Sequence, residues 1–273
     1  MIQLFIDPNR NEAVTIAQTL GSEITKLGYK ISYLKPGEIC NVNTLLVIAI
    51  GGDGTLIRAA RTVLDHDVTL AGINCGRLGF LTQFTHETLI QYLPEIIQKN
   101  ESVSETMLLS IKSSKLNKHQ MAINECVIRS RSHRMVRIGT KISRRPGPTI
   151  DGDGLIIATP TGSTAHALSA GGPIVDPALD GFVICPLAAH SLAFRPFIVN
   201  PESIIEVKSE NNDILDLIVD GDLICQINPE ETVSITKHKK NLLLAREPGR
   251  SFWEVLRNRL KWAQPPNYKT DFN

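Results

Sequence analysis

Two parts of the chain carry different periods of hydrophobic and polar residues. In the first, up to about residue 98, Ala17, Leu20, Ile24 and Leu27 fall on one face of a predicted helix, and a second helical pattern opens at Thr55. Apolar runs typical of buried strands flank these helices, at residues 2–6, 29–34, 45–50 and 68–73. The runs at 2–6, 45–50 and 68–73 alternate with the two helices in the order β-α-β-α-β, which predicts a parallel sheet with helices on its faces.

After residue 100 the apolar runs are short, and Gly, Pro, Asn or Asp separates them. One helix interrupts this pattern at about residues 164–170, with Gly171, Gly172 and Pro173 as its stop. An amphipathic helix at 252–260 is expected to pack back on the first domain. The remaining runs predict an antiparallel β domain, with strands at residues 121–130, 135–142, 155–158, 204–207, 214–219, 223–227 and 232–236.

The predicted fold class is an α/β N-terminal domain with a parallel Rossmann-like sheet, plus a mainly antiparallel all-β C-terminal domain. We expect an α/β phosphate-binding domain at 1–98, a β-rich ligand-binding domain at 99–245, and a C-terminal helix and tail at 246–273. A length of 273 residues fits two domains better than one core.

Composition narrows the class of protein. Hydrophobic residues make up 42% and charged residues 21%, which is ordinary for a soluble globular protein. Lys plus Arg number 29 against 28 for Asp plus Glu, so no global field would draw nucleic acid or an anionic membrane. The five cysteines include no C-x-x-C pair, and no apolar run approaches the roughly 20 residues of a membrane span. We therefore expect a cytoplasmic protein with reduced thiols, no nucleic-acid partner and no membrane partner.

The segment Gly51-Gly52-Asp53-Gly54 is the strongest chemical signal. It lies between a predicted strand and a predicted helix, where glycine N–H groups and a helix N-terminus can face a phosphate. An aspartate in such a loop repels phosphate unless it meets a metal ion or accepts a proton from a substrate hydroxyl. The segment therefore indicates phosphoryl transfer, although an ordinary turn aspartate would be the better interpretation if Asp53 were the only signal. The segment 74–80, after the next strand, is expected at the same rim of the sheet.

A second polar segment, residues 159–166, follows a predicted strand. Pro160 fixes a turn, Gly162 permits close approach of backbone, and hydroxyls collect at a helix start, so the loop can hydrogen-bond a base or a ribose. An ordinary capped helix is the alternative. Asn124 and Glu125 lie in a predicted strand, where one in-facing and one solvent-facing residue is the alternative to a ligand contact.

Taken together, these segments resemble the NAD kinases (ATP-NAD kinases) of bacteria over most of the chain. The glycine segment alone is weakly specific, because diacylglycerol kinases and phosphofructokinases carry similar turns. The order of several motifs is specific: 51–55, 72–74 through 79–81, 124–125, the block 153–177 and residues 191–196.

The resemblance implies transfer of the ATP γ-phosphate to the 2′-hydroxyl of the adenosine ribose of NAD, with Mg²⁺ or another divalent cation accompanying ATP. Asp53 matches the proposed general base. The resemblance further implies that NAD and ATP are the ligands and that the protein forms a homodimer or homotetramer. It places nucleotide contacts at Gly51, Gly52, Asp53, Gly54, Arg58, Phe80, Asn124, Glu125, Arg134, Asp153, Thr161, Thr164, Ala165, His166 and Ser169.

Some positions depart from the family pattern. His166 stands where Tyr is usual, which exchanges an aromatic stack for an imidazole. Asp151 stands where many relatives have Arg, and Arg144 or Arg145 is a candidate replacement. No role is transferred to Asp220-Gly221. Arg144 and Arg145 belong to a basic cluster over residues 129–145. Such a cluster is typical of a solvated hairpin, and we expect one of its arginines to reach an NAD phosphate.

Two other functions compete with an NAD kinase. A lipid or sugar kinase would share the glycine segment, but the Asn124-Glu125 pair and the 159–166 loop disfavour it. A non-catalytic NADP sensor would not need Asp53. The sequence leaves open whether polyphosphate replaces ATP and whether NADH is accepted.

Overall fold

A computed structural model of the protein describes residues 1–64, 66–76, 79–99, 102–132, 134–191 and 193–262. Its helices are α1 (Asn11–Lys26), α2 (Asp53–Val63), α3 (His86–Ile97), α4 (His166–Ser169) and α5 (Phe252–Leu260), with a 3₁₀ turn at Thr161–Thr164. Its strands are β1 (Ile2–Ile6), β2 (Ile31–Leu34), β3 (Leu46–Ile50), β4 (Thr69–Ile73), β5 (Val103–Thr106), β6 (Leu109–Lys112), β7 (Gln120–Ala122), β8 (Glu125–Ser130), β9 (Val136–Ile142), β10 (Arg145–Pro146), β11 (Ile150–Gly152), β12 (Gly154–Ala158), β13 (Phe182–Leu187), β14 (Phe197–Val199), β15 (Ile205–Ser209), β16 (Leu215–Val219), β17 (Asp222–Ile227), β18 (Val233–Lys237) and β19 (Leu242–Ala245).

The first of two compact units comprises Met1–Ser104 and the chain from Leu244. Its sheet has the strand order β2-β1-β3-β4-β19-β5, and β1, β2, β3, β4 and β19 pair in parallel. Every residue of β3 and β4 is buried, as expected for parallel strands covered on both faces. The apolar face of α1 that the sequence predicts is also buried, at Ala13, Ala17, Leu20 and Ile24.

The second unit, Glu105–Leu243, consists of two antiparallel sheets. One has the order β10-β9-β15-β18-β6-β7, with β11 also paired to β9, and the other has the order β14-β13-β12-β8-β16-β17. Alternate residues of both sheets, among them Ile138 and Ile235 of the first and Leu155 and Leu217 of the second, meet in one buried core. The predicted fold class, an α/β part with a parallel sheet and an antiparallel β part, is confirmed.

The structure differs from the predicted elements at informative places. Residues 121–130 form two strands instead of one, because the amides of Ile123, Asn124 and Glu125 donate to the side chain of Asp220 instead of to a neighbouring strand. The helix predicted at 164–170 is a 3₁₀ turn followed by the short α4, since Ala165 has φ −101° and ψ −126°. The domain boundaries at 98 and 245 stay a prediction.

Within the described residues, no helix combines the length and apolar composition that crossing a bilayer requires.

Candidate functional site

The glycine turn, residues 51–54, connects the end of β3 to the start of α2. Gly51 has φ +155°, and a Cβ at this position would overlap the Thr55 side chain, so the turn needs glycine here. The Gly51 amide donates to Ile73 O of β4 at 2.9 Å. Gly52 caps α2, and Asp53 is the first residue of the helix. The turn therefore presents a helix N-terminus, which favours an anion, beside a carboxylate.

The Asp53 carboxylate is held by one short segment, which we call the clasp turn (residues 79–83). Its Oδ1 accepts hydrogen bonds from the amides of Leu81 (3.2 Å) and Thr82 (2.9 Å) and from the Thr82 hydroxyl (2.9 Å). Its Oδ2 accepts one, from the Phe80 amide at 2.9 Å. A carboxylate has about four lone-pair sites, so Oδ1 is saturated and Oδ2 keeps room for a further donor.

Two residues of this region were not assigned a role from sequence. A Cβ on Gly79 would overlap the Asp53 carboxylate, so the clasp turn can approach Asp53 only with glycine at this position. Asn74 Nδ2 donates to the Thr82 hydroxyl at 2.9 Å and so orients the hydroxyl toward Asp53. The two ends of the predicted rim segment 74–80, at Asn74 and Gly79, thus both belong to the surroundings of Asp53. Its residues Arg77 and Leu78 lie outside the described residues.

Arg58 and Phe80 are the other predicted contacts in the first unit. Arg58 lies on the exposed face of α2 and lines a cavity of about 310 Å³ together with Arg61, Thr62 and residues 36–39. Phe80 is half-buried, and the guanidinium carbon of Arg259 lies 6.0 Å from the centroid of its ring.

In the second unit, Asn124 and Glu125 are fixed by a residue to which the sequence assigned no role. Asp220 and Gly221 form the two-residue turn between β16 and β17, with φ +48° and +88°, as an Asp-Gly hairpin turn requires. Asp220 Oδ1 accepts the amides of Asn124 (2.8 Å) and Glu125 (3.1 Å), while Oδ2 accepts the amide of Ile123 (2.9 Å). The Asp-Gly pair between two apolar runs was the available sequence signal.

The Glu125 side chain is 7% exposed, and its Oε2 has no hydrogen-bond partner among the described residues. Burial, followed by the charge of Asp220, raises the pKa of Glu125 from 4.5 to about 7, while a hydrogen bond from the His166 amide opposes the rise. Glu125 therefore changes charge near neutral pH and keeps a buried oxygen available for a ligand donor.

The loop at 159–166 packs directly against this pair. The Thr159 amide donates to Asn124 O at 2.8 Å, and a Cβ on Gly162 would overlap the same carbonyl group. Two hydroxyls of the loop already have partners, because Ser163, which was not a predicted contact, donates to Pro160 O, and the predicted contact Thr164 donates to Thr161 O. The loop is therefore a support for Asn124 and Glu125 as well as a candidate ligand surface.

The structure brings the exposed Asp153 and His166 to one cavity of about 300 Å³. Arg129, which the sequence placed only in the basic cluster, lines the same cavity, together with Ser130, Leu187 and Ala188. The other predicted contacts are spread along neighbouring segments. Thr161 is buried, Thr164 and Ala165 are half-buried, Ser169 is exposed at the end of α4, and Arg134 is exposed between β8 and β9.

Asp151, the departure from the family pattern, already has a cationic partner. Arg137 donates to both of its carboxylate oxygens, at 2.7 and 2.9 Å, and this hydrogen bonding holds the pKa of Asp151 below its ordinary value. Arg144 is exposed in the turn between β9 and β10, and Arg145 is exposed as the first residue of β10. Described residues do not include a cluster of three or more His, Cys, Asp or Glu side chains suited to holding a metal ion.

Comparisons with known proteins cover both halves of the chain. The sequence model of the ATP-NAD kinase N-terminal domain matches residues 9–101, and that of the ATP-NAD kinase C-terminal domain matches residues 123–246. Among curated relatives, an NAD kinase of Teredinibacter turnerae is 39% identical over 224 residues, which are 80% of this chain and 76% of that protein. An NAD kinase of Shewanella loihica is 31% identical over 256 residues, which are 92% of this chain and 86% of that protein.

Two solved structures share the fold. An NAD kinase from Archaeoglobus fulgidus in complex with ATP superimposes with a TM-score of 0.76 at 24% identity and covers 96% of this chain and 98% of its own. Yeast NADH kinase complexed with NADH superimposes with a TM-score of 0.81 at 20% identity and covers 98% and 90%.

Proposed function

Because this chain belongs to the ATP-NAD kinase family and is an ATP-dependent NAD kinase, we propose that Asp53 is the base of its reaction. The reaction transfers the γ-phosphate of ATP to the 2′-hydroxyl of the adenosine ribose of NAD and forms NADP. The observation that carries the assignment is the position of Asp53: a carboxylate at the N-terminus of α2, fixed by four hydrogen bonds from the clasp turn.

The proton balance of the reaction assigns a role to one oxygen of Asp53. The ribose oxygen forms a bond to the γ-phosphorus, the bond from that phosphorus to the β–γ bridging oxygen breaks, and the hydroxyl proton leaves. Oδ2, which among the described residues accepts a hydrogen bond only from the Phe80 amide, takes the proton, while Oδ1 anchors the carboxylate through its three hydrogen bonds. A positioned base of this kind contributes on the order of 10²–10⁴-fold to the rate.

The backbone around Asp53 supplies positive potential for the phosphates. Gly52 and Gly54 flank Asp53 at the N-terminus of α2, and a Cβ added to either would meet nothing within 4 Å. This open space permits a phosphate to approach the backbone closely. Arg58, five residues after Asp53 on α2, remains a proposed contact to the nucleotide.

A divalent cation fits this site only as a companion of ATP. The described residues provide no cluster of metal-ligating side chains, and Asp53 is the carboxylate that the glycine turn itself contains. Magnesium keeps several waters and is commonly bound through substrate phosphates with one or two carboxylates, so ATP oxygens would hold it beside Asp53. When bound, the cation would neutralise charge on the transferring phosphate.

We assign the dinucleotide to the second group of residues. Glu125 has a buried oxygen without a hydrogen-bond partner among the described residues, and this oxygen can accept a hydrogen bond from a ribose hydroxyl. Asp220 holds the backbone of Asn124 and Glu125 in place. Asp153, His166 and Arg129 line a cavity that can take another part of NAD. The predicted contacts at Thr161, Thr164, Ala165, Ser169 and Arg134 stay proposals.

We also propose a cytoplasmic location and a homodimeric or homotetrameric assembly. All five cysteines are free thiols, which supports a reducing compartment. The assembly rests on the family resemblance alone. Sedimentation of the purified protein would decide it, with a monomer at micromolar concentration as the contradicting result.

The experiment that tests the base assignment uses Asp53→Asn. The purified variant is incubated with ATP, Mg²⁺ and NAD, and NADP formation is compared with NAD binding by calorimetry. We expect NAD affinity within a few-fold of the wild-type value and a kcat lower by about 10²–10⁴-fold. Wild-type turnover by the variant would refute the assignment.

A further inference from the structure

The clasp turn holds Asp53, so whatever holds the clasp turn also sets the position of the carboxylate. Within the turn, the Gly79 amide donates to Thr82 O at 3.0 Å, and the Gln83 side-chain amide donates to Phe80 O at 3.1 Å. The Gln83 side chain is only 4% exposed, and its Oε1 has no hydrogen-bond partner among the described residues. A buried, incompletely bonded glutamine is a weak support, so a further contact strengthens this end of the turn, in addition to the hydrogen bond from Asn74 to Thr82.

That contact comes from the segment before α5, far along the chain. Arg250 Nη1 donates to the backbone carbonyl of Gln83 at 3.0 Å and to the Glu247 carboxylate at 2.9 Å. The two charged side chains are 23% and 17% exposed, so the pair is largely withdrawn from water. A charged donor in such surroundings makes a stronger hydrogen bond than a neutral one, and it ties the end of the clasp turn to the C-terminal segment.

A second cationic side chain, Arg259 of α5, lies at the other end of the clasp turn. Val255 and Leu256 of α5 are buried, and Arg259 follows them by four and three residues, on the same helical face. Its guanidinium lies over the Phe80 ring, 6.0 Å from the centroid, in cation–π geometry. Phe80 is the residue whose amide donates to Asp53 Oδ2.

We propose that Arg250 is a positioning residue for phosphoryl transfer: through Gln83 and the clasp turn it sets the position of the Asp53 carboxylate, and Arg259 supports it through Phe80. The proposal rests on the assignment of Asp53 as the base. All four hydrogen bonds to that carboxylate come from residues 80–82, so a shift of the clasp turn moves the base. A displacement of about 1 Å at a reacting group can lower a rate by about 10²-fold.

The test is a double-mutant cycle on kcat in the full-length protein. Arg250→Met removes the donor to Gln83 and keeps an unbranched side chain, Asp53→Asn removes the base, and the double variant combines them. Arg257→Gln, an exposed arginine of α5, is the matched control. For each protein, kcat, the KM for NAD and the thermal midpoint are measured, and the active fraction is determined by NAD titration.

We expect Arg250→Met to lower kcat by about 10- to 100-fold with the KM for NAD within a few-fold of wild type, and Arg257→Gln to match wild type. In the Asp53→Asn background the Arg250→Met effect should shrink to less than about 2-fold, because a base that is absent cannot be misplaced. Arg250→Lys, which keeps one charged donor, should restore part of the rate.

Several results would overturn the proposal. One is a wild-type kcat for Arg250→Met, and another is an equal loss of kcat in both backgrounds, which marks a structural effect independent of Asp53. If Arg250→Met does not fold, the same cycle is run with Arg250→Lys, and multiplicative losses again refute the proposal. Wild-type turnover by Asp53→Asn alone would instead refute the base assignment, so the two failures are distinguishable.

Discussion

Gly79 and Asp53 lie so close together that a methyl group on residue 79 would overlap the Asp53 carboxylate. Within the part of the chain that the structure describes, the clasp turn that begins at Gly79 supplies every hydrogen bond to this carboxylate, from Phe80, Leu81 and Thr82. Because Gly79 has no side chain, the clasp turn can approach Asp53 closely enough to hold the proposed base by hydrogen bonds.

The first prediction concerns this overlap. We expect Gly79→Ala to push the carboxylate or the clasp turn aside, with a cost in stability of about 1–3 kcal/mol and a fall in kcat of about 10²-fold. NADP formation at saturating NAD and ATP measures the second effect. Gly76→Ala is the control, because a Cβ there would meet only the Asn74 side chain, at 3.8 Å. Similar rates for the two variants would show that the overlap does not control the base.

The second prediction concerns Asp220, whose carboxylate accepts three successive amides at the start of β8. In Asp220→Asn, one oxygen becomes an NH₂ group that faces an amide donor, so at least one buried amide loses its acceptor. We expect a loss of about 2–3 kcal/mol in the free energy of unfolding, measured by urea denaturation. Glu230→Gln, at an exposed carboxylate, should be neutral. Equal stability of the two variants would contradict this reading of the turn.

The third prediction concerns pH and stability. Glu125 has a pKa of about 7 when folded against an ordinary value of 4.5, so between these values the folded protein holds a proton that the unfolded chain has released. The contribution of Glu125 to the free energy of unfolding therefore falls as pH rises from about 4.5 to about 7, and it stays constant above about pH 7. Relative to Glu125→Gln, the wild-type protein should lose at most about 3 kcal/mol between pH 5 and pH 8.

Urea unfolding of both proteins at the two pH values measures this difference, and Glu230→Gln again serves as the control. Parallel pH profiles for wild type and Glu125→Gln would contradict the raised pKa. The same titration should change the binding of NAD, because only the ionised Glu125 carboxylate can accept hydrogen bonds freely on both oxygens. The KM for NAD is therefore expected to rise below pH 7 in the wild-type protein and to change less in Glu125→Gln.

Local sequence patterns predicted the parts of the fold and site that depend on neighbouring residues. The apolar run at 45–50 followed by glycines predicted a strand, a turn and a helix that opens at Thr55. The structure has all three, and the helix begins two residues earlier, at Asp53. In the second half, short apolar runs separated by Gly, Pro, Asn or Asp likewise predicted antiparallel sheets, which the structure contains.

The contacts that complete the site join segments far apart in the sequence, and no periodicity encodes them. The clasp turn reaches Asp53 from beyond β4, Asp220 reaches Asn124 from the β16–β17 turn, and Arg250 reaches Gln83 from the C-terminal segment. β19 pairs in parallel with β4 in the same way, from the opposite end of the chain. Hydrogen-bond partners of this kind are set by tertiary packing. The sequence patterns therefore pointed to Asp53 and Asn124 but not to the distant residues that hold them.

The most direct measurement of the central claim is a crystal structure of the protein with NAD bound. We predict that the 2′-oxygen of the adenosine ribose lies within hydrogen-bonding distance of Asp53 Oδ2, about 2.6–3.2 Å, with the hydrogen bonds from the clasp turn to the carboxylate retained. A 2′-oxygen bound out of reach of Asp53, or hydrogen-bonded to a different base, would contradict the account.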